Sequence, residues 1–142
     1  MGEYLLRHML KKEGMPEVEV FSRGVGALDG QPMSRHAIAE LNALGIDGLA
    51  HRAGSLTEAD VQRADVILVM TRSHQAAILG YFPEAKEKLF LLKDYAGAAL
   101  GDALEVADPF GESAEAYHRC RMEIQDSLLG VLTKIKSALK KG

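Results

Sequence analysis

The sequence predicts one α/β domain in which a parallel sheet is flanked by helices. Strand-like and helix-like runs alternate along the chain, which is typical of βαβ units with right-handed crossovers. The best strand candidate lies at residues 65–70, and its residues 66–70 are continuously apolar, as expected of a parallel strand covered on both faces. A length of 142 residues fits one domain with one core.

The first half of the chain begins with a helix. Apolar residues recur at helical spacing up to Gly14, which ends the pattern. Residues 18–21 are predicted to form a short strand, and a glycine-rich turn follows at residues 24–32. Ser34 is a suitable N-cap for a second helix, and Gly45 is its natural end.

The second half repeats the alternation of helices and strands. A short helix with acidic residues in its first turn begins at Thr57, and the strand at residues 65–70 follows it. A helix over 73–79 and a strand over 88–92 come next. We expect residues 93–111 to form a loop.

The last helix has the clearest periodicity in the sequence. Ser113 can cap it, and one apolar seam then advances by three or four residues at each step, which predicts a face buried against the core. The seam consists of Tyr117, Cys120, Ile124, Leu128, Val131, Ile135 and Leu139.

Composition and charge exclude several functional classes. The net charge is −3 and the basic residues are scattered, so we expect no nucleic-acid partner and no binding to an anionic membrane. The apolar runs are too short to cross a bilayer. The single cysteine, Cys120, excludes an internal disulfide and favours a reducing, cytoplasmic setting.

The sequence gives no support for a cofactor or a metal. The glycines between Gly24 and Gly30 follow a predicted strand, but Gln31, Pro32 and Met33 separate them from the next helix. A dinucleotide loop would open that helix directly, so a plain turn is the better interpretation. The five histidines are not spaced as zinc ligands.

Cys120 and Asp108 are the side chains that could carry chemistry. Cys120 lies on the core-facing seam of a long helix, a setting typical of a packed thiol rather than a nucleophile. Asp108 opens the tight turn Asp108-Pro-Phe-Gly111, which would hold its carboxylate beside an aromatic ring. Such an aspartate can act as a general acid, and a solvated loop residue is the alternative interpretation.

The sequence resembles the low-molecular-weight protein tyrosine phosphatases, including their bacterial protein-arginine phosphatase branch, from Met1 to the end of the last helix. The resemblance implies a three-layer, flavodoxin-like α/β fold. The shared motifs are Tyr4-Leu-Leu-Arg-His, Ser22-x-Gly24, Gly45-Ile-Asp47, His51-Arg-Ala53, residues 64–70 with His74, and Asp108-Pro-Phe-Gly111 followed by Tyr117.

The resemblance implies roles for four residues and a phosphorylated protein as the substrate. Asp108 would protonate the leaving group and then activate the water that breaks a phospho-cysteine intermediate. Phe110 would line the substrate cleft, while Ser22 and His51 would support the phosphate loop from outside it. Phosphotyrosine is the first expected substrate, and phosphoarginine is the alternative because the turn reads Asp-Pro-Phe-Gly rather than Asp-Pro-Tyr-Tyr.

The sequence departs from the family at the phosphate loop. The family begins with a strand and a Cys-x5-Arg loop, and Met1-Gly2-Glu3 is similar to the end of that motif. Cys120 cannot replace the nucleophile, because Asp126 stands where the arginine would be. The resemblance therefore implies an N-terminally incomplete domain without its central strand, which would lie between residues 18–21 and 65–70. As written, the chain is expected to be inactive.

Three interpretations remain open at this stage. Met1 is an internal methionine of an active phosphatase, or the chain is a pseudo-phosphatase that binds a phosphoprotein or another partner. In the third interpretation, the chain is an unrelated α/β binding domain that merely shares the family's sequence pattern. Exposed sheet edges would favour homo-oligomerisation or strand exchange.

Overall fold

A computed structural model describes residues 1–15, 17–25, 30–97 and 104–141. Strands and helices alternate only in the middle of the chain, where two parallel strands flank a helix and a 3₁₀ helix at Pro83–Lys88 that the sequence analysis did not predict. Helices alone precede and follow this unit, so the predicted alternation does not extend to the first half of the chain. The remaining elements are α1 (Gly2–Lys12), α2 (Arg35–Asn42), α3 (Glu58–Arg63), β1 (Ile67–Val69), α4 (Arg72–Tyr81), β2 (Leu89–Leu91), α5 (Leu92–Tyr95) and α6 (Ala114–Lys141).

The predicted helix caps are present. Ser34 Oγ accepts a hydrogen bond from the Ala37 amide at 3.3 Å, and Ser113 Oγ accepts one from Ala116 at 3.2 Å. Thr57 and Asp60 form a reciprocal capping box at the start of α3. These caps satisfy backbone donors that a helix cannot satisfy itself, which fixes where each helix begins.

The sheet of the described residues consists of β1 and β2, which pair in parallel with Ile67 opposite Leu89 and Val69 opposite Leu91. Both faces of β1 are covered. Leu68 packs against a core cluster built mainly from α1 and α6, whereas Val69 belongs to a second cluster with α4 and β2. The prediction of a parallel strand covered on both faces is therefore confirmed for Ile67–Val69, whereas Val66, inside the predicted range 65–70, lies before the strand and is 40% exposed.

The predicted strand at residues 18–21 is wrong. This segment is not assigned as a strand, and its backbone groups find other partners. The Val18 amide donates to the Met15 carbonyl at 3.3 Å, and the Val20 carbonyl accepts from Arg7 Nη2 at 2.6 Å. A strand requires a neighbouring strand to pair with, and none lies alongside residues 18–21 in the described part of the chain.

Two further expectations differ from the structure. Residues 93–111 are not entirely loop, because α5 extends into this range as a single turn. The α6 seam stays buried as far as Val131, but Leu139 is 49% exposed because the core ends before the last turns of the helix. Residues 98–103, and residues 26–29 of the glycine-rich turn predicted at 24–32, lie outside the described residues. No described helix is both long and apolar enough to span a membrane.

Candidate active site

A cavity of about 440 Å³ lies where the starts of several elements meet. Gly2 at the beginning of α1, Ser34 and Ala37 at the beginning of α2, and Met70 directly after β1 contribute to its wall. The segment 106–110 and one face of α6 complete it. The volume lies within the range of roughly 300–1,000 Å³ that is typical of small-molecule sites.

Asp108 lies at this cavity, in the turn that precedes α6. Its Oδ1 accepts a hydrogen bond from the Phe110 amide at 3.0 Å, so the turn holds the carboxylate in place. Gly111 follows with φ +80°, a conformation that favours glycine and allows the chain to turn into α6. Asp108 itself is exposed, while Pro109 beneath it is buried.

Phe110 lines the same cavity and is 78% exposed. An exposed aromatic ring at the mouth of a cavity gains no stability from burial in the free protein. It can instead contact an apolar part of a bound molecule. The sequence-predicted pair, Asp108 and Phe110, is thus brought together at one opening.

Cys120 also lines the cavity, but its thiol belongs to the core. The residue is 7% exposed, and its Sγ donates weakly to the Ala107 carbonyl at 3.7 Å. Burial, together with the nearby negative charges of Glu123 and Asp108, raises the pKa of the thiol. A protonated thiol is a poor nucleophile, which agrees with the packing role predicted for this residue.

Neither Ser22 nor His51 is among the described residues that line the cavity. Both side chains instead lie beside Glu3, in the first turn of α1. The Ser22 hydroxyl donates to Glu3 Oε1, and His51 Nδ1 lies 3.7 Å from the same oxygen. Arg7 forms an ion pair with the other carboxylate oxygen. Burial lowers the pKa of His51, so its imidazole is neutral near pH 7.

Glu3 is a site residue that the sequence analysis missed. Its side chain is 12% exposed, and it joins the first turn of α1, which borders the cavity, to two loops. The spacing of Glu3 and Arg7 could have indicated a helical ion pair. Its contacts with Ser22 and His51 depend on the tertiary fold, which local sequence does not contain.

The lining provides proton-transferring groups but little positive charge. Asp108 and the His74 imidazole can exchange protons with a bound molecule. None of the described lining residues is an arginine or a lysine. The arrangement therefore offers acid–base chemistry at the mouth of a largely apolar cavity.

Fold and cavity together define an α/β domain with a carboxylate held at a ligand-sized cleft. The family model described as low molecular weight phosphotyrosine protein phosphatase matches residues 1–141. The chain belongs to this family, and it is a member of a family of protein phosphatases.

Relatives named as arginine phosphatases and relatives named as tyrosine phosphatases both match most of the chain. A protein-arginine-phosphatase of Geobacillus stearothermophilus is 36% identical over 91% of this chain and 84% of its own length. A probable low molecular weight protein-tyrosine-phosphatase, EpsP, of Ralstonia nicotianae is 30% identical over 90% of this chain and 84% of its own length.

Solved structures of relatives share the fold. The YwlE arginine phosphatase from Geobacillus stearothermophilus superposes with a TM-score of 0.86 at 33% identity, covering 99% of this chain and 86% of that one. Vibrio vulnificus Wzb in complex with benzylphosphonate gives a TM-score of 0.81 at 28% identity, covering 94% and 87%. The predicted α/β class, with a parallel sheet flanked by helices, is thereby confirmed.

Proposed function

We propose that this domain carries the proton-transferring acid and the substrate cleft of a protein phosphatase. The observation that supports this most directly is the placement of Asp108 and Phe110 at the mouth of one cavity. In this proposal, Asp108 gives its proton to the leaving atom of the phosphorylated side chain. The Phe110 ring contacts the apolar part of that side chain.

The second half of the proposed reaction uses the same carboxylate. A cysteine thiolate forms a bond to phosphorus while the bond from phosphorus to the leaving oxygen or nitrogen breaks. Water then attacks the phospho-cysteine, Asp108 takes a proton from that water, and the sulfur–phosphorus bond breaks to release inorganic phosphate. Because one carboxyl group first loses and then regains a proton, its protonation state is restored after each turnover.

The 142 residues supply no nucleophile for this reaction, so we propose that by themselves they do not hydrolyse phosphate esters. Their single cysteine is Cys120, which is buried and has a raised pKa. The cavity also lacks a described cationic clamp for a phosphoryl group. A chain that binds a phosphorylated protein without hydrolysing it is the second candidate function, favoured by the combination of an open cleft and a protonated thiol.

For the substrate class, we infer phosphoarginine first and phosphotyrosine second, which reverses the order expected from the sequence. The proteins named as arginine phosphatases are 36% and 34% identical to this chain, compared with 30% for the tyrosine phosphatase EpsP. The leaving nitrogen of phosphoarginine and the leaving oxygen of phosphotyrosine both need a proton, so Asp108 suits either. Phe110 can pack against a guanidinium plane or a phenyl ring.

We also propose that residues 1–142 act as one domain in a reducing, cytoplasmic setting. The lone buried cysteine supports this setting, because a thiol there needs no partner. The edge of β1 opposite β2 has no strand partner in the described part of the chain, which supports strand exchange or self-association. Measuring the molar mass in solution over a range of concentrations would test self-association.

The decisive experiment compares the chain with a version that carries a grafted nucleophile. The graft adds the N-terminal strand and Cys-x5-Arg loop of the Geobacillus arginine phosphatase before Met1. Phosphate release is measured from a phosphoarginine peptide and a phosphotyrosine peptide of the same sequence. A graft with serine in place of its new cysteine is the matched control.

We expect no turnover from the 142-residue chain and thiol-dependent turnover from the grafted chain, faster on phosphoarginine. Turnover by the ungrafted chain would overturn the proposed inactivity. A folded graft that turns over neither substrate would contradict the phosphatase cleft. If the chain binds the phosphopeptides but the graft remains inactive, the binding function replaces the catalytic one.

A further inference from the structure

His74 is a cavity-lining residue that the proposed chemistry leaves without a role. It lies in the first turn of α4, where its backbone amide donates to Thr71 Oγ1 at 3.1 Å. Its imidazole contributes to the cavity wall and is exposed. That ring makes no hydrogen bond or ion pair within the described part of the chain.

Three of the other polar side chains at the cavity, Ser34, Cys120 and Asp108, already take part in hydrogen bonds. Ser34 Oγ caps α2, and the Tyr117 ring packs against His36 with centroids 5.3 Å apart. The Cys120 thiol donates to a carbonyl, and Asp108 accepts from the Phe110 amide. Among the described lining side chains, His74 is the one that can carry a positive charge, and its ring makes no hydrogen bond or ion pair in the described part of the chain.

We propose that His74 is a specificity-determining residue that contacts an oxyanion of the substrate through its imidazolium form. This inference rests on the proposed phosphatase cleft and deepens it, because it assigns substrate recognition to a residue opposite in charge to Asp108. The oxyanion is either the phosphoryl group itself or a carboxylate that flanks the phosphorylated residue. In both cases substrate binds more tightly when the ring is protonated.

The surroundings of His74 contain few charges that could mask this effect. Asp108 and the Met1 amino group share the cavity wall, as do the Tyr117 hydroxyl and the protonated Cys120 thiol on α6. The Glu105 carboxylate also lies at the start of α4, where its Oε1 accepts a hydrogen bond from the Arg72 amide at 2.8 Å. A bound oxyanion would add a negative charge beside the ring, which favours the imidazolium form.

The test is a nuclear magnetic resonance titration of all histidine rings in the 142-residue chain. Sulfate is the probe, because its charge is constant between pH 5 and pH 8, and chloride at equal ionic strength is the reference. His8 is the internal control, since its ring also lacks a partner among the described residues but lies outside the described cavity lining. A His74→Gln variant assigns the resonance.

We expect sulfate to raise the titration midpoint of His74 by about 0.3 pH unit or more. That shift corresponds to roughly a twofold preference of sulfate for the protonated ring. The midpoint of His8 should stay where it is in chloride. Equal shifts of the His74 and His8 midpoints, or no shift of either, would overturn the proposal. Such a result would not bear on the proposed phosphatase function, which the turnover assay of the grafted chain tests separately.

Peptides separate the two sources of the oxyanion. A phosphopeptide with neutral neighbours shifts the His74 midpoint if the phosphoryl group is the contact. An unphosphorylated peptide with flanking glutamates shifts the His74 midpoint if a carboxylate is the contact.

Kinetics of the grafted enzyme provide a second test. There His74→Gln should raise KM several-fold at pH 6 with kcat nearly constant, and the KM values of the parent graft and the variant should converge at pH 8. An unchanged KM at pH 6 would contradict the assignment even if the graft is active.

Discussion

His51 Nδ1 lies 3.7 Å from Glu3 Oε1, and the same carboxylate oxygen accepts the Ser22 hydroxyl. One carboxylate in the first turn of α1 thus connects two loops to the start of a helix that borders the cleft. The His51 and Tyr4 rings are nearly perpendicular, with their centroids 5.6 Å apart, which limits how far the imidazole can move. Ser22 and His51, the two residues to which the family resemblance assigned support of the phosphate loop, therefore contact Glu3 at the start of α1 and are not among the described lining residues of the cavity.

Replacing Glu3 with Gln should destabilise the fold. The glutamine side chain keeps the shape of glutamate but lacks its negative charge, which accepts the Ser22 hydroxyl and pairs with Arg7. Hydrogen bonds to charged groups contribute about 1.5–3 kcal/mol each, so we expect a loss of roughly 1–3 kcal/mol in the free energy of unfolding. Urea unfolding at pH 7 measures it.

The control for this prediction is Glu19→Gln. Glu19 also forms an ion pair with an arginine, Arg63, but both side chains are more than half exposed. Exposed pairs contribute little, so this variant should stay within about 0.5 kcal/mol of the parent. Equal losses in the two variants would show that Glu3 has no special role at the start of α1.

Gly130 is required because the backbone of the segment after α5 approaches α6 at this residue. A Cβ on Gly130 would lie 2.2 Å from the Ala96 carbonyl oxygen, a backbone atom that cannot rotate away. Gly130→Ala should therefore cost about 1–3 kcal/mol of stability through overpacking.

Gly80 in α4 provides the opposite case, since a Cβ added there would meet no atom within 4 Å apart from its chain neighbours and the nearby backbone of its own helix. There Gly→Ala should stabilise the protein by up to about 1 kcal/mol, because alanine has the higher helix propensity. Thermal unfolding of both variants shows the contrast. Similar melting temperatures for Gly130→Ala and Gly80→Ala would contradict the close approach of the two segments.

The sequence was informative where structure is local. The Ser34 and Ser113 caps, the α6 seam and the covered strand β1 all follow from spacing within a few residues. Residues 18–21 have the composition of a strand, but a strand also needs a partner that is distant in the chain. The convergence of Ser22, His51 and Glu3 is non-local in the same way.

The candidate site could be predicted only in part for the same reason. Asp108 and Phe110 occupy one turn, so a motif of four residues indicated both. His74 and Glu3 belong to the first turns of different helices, and their places relative to the cavity depend on how those helices pack. A lone histidine or glutamate in a helix carries no local signal of such a position.

Glu40 should make stability depend on acid pH. Burial alone would raise the pKa of this carboxyl, but hydrogen bonds from Arg121 and His118 on α6 outweigh burial and lower the pKa. These bonds therefore stabilise the fold fully above the unfolded-state pKa of a glutamate, about 4.3. Their contribution disappears as the pH falls through the lower pKa of the folded state.

The measurement compares the parent with Glu40→Gln by urea unfolding between pH 7 and pH 2.5. We expect the parent to be more stable by roughly 1–3 kcal/mol at pH 7 and the difference to shrink below about pH 4.5. A difference that is constant over this range would show that the charge of Glu40 does not contribute.

Asp108→Asn in the grafted enzyme tests the acid directly. An asparagine keeps the size of the side chain but cannot give up a proton, so release of a poor leaving group should slow by about 10²–10⁴-fold. The phenol of tyrosine has a pKa of about 10 and needs the proton most. A nitrophenyl ester, whose anion leaves unaided, should lose much less rate in the first, burst-phase step.

The matched control is Asp126→Asn, on the exposed face of α6, which should leave both rates unchanged. If both esters slowed equally in the burst phase, Asp108 would be holding the turn together rather than protonating the leaving group.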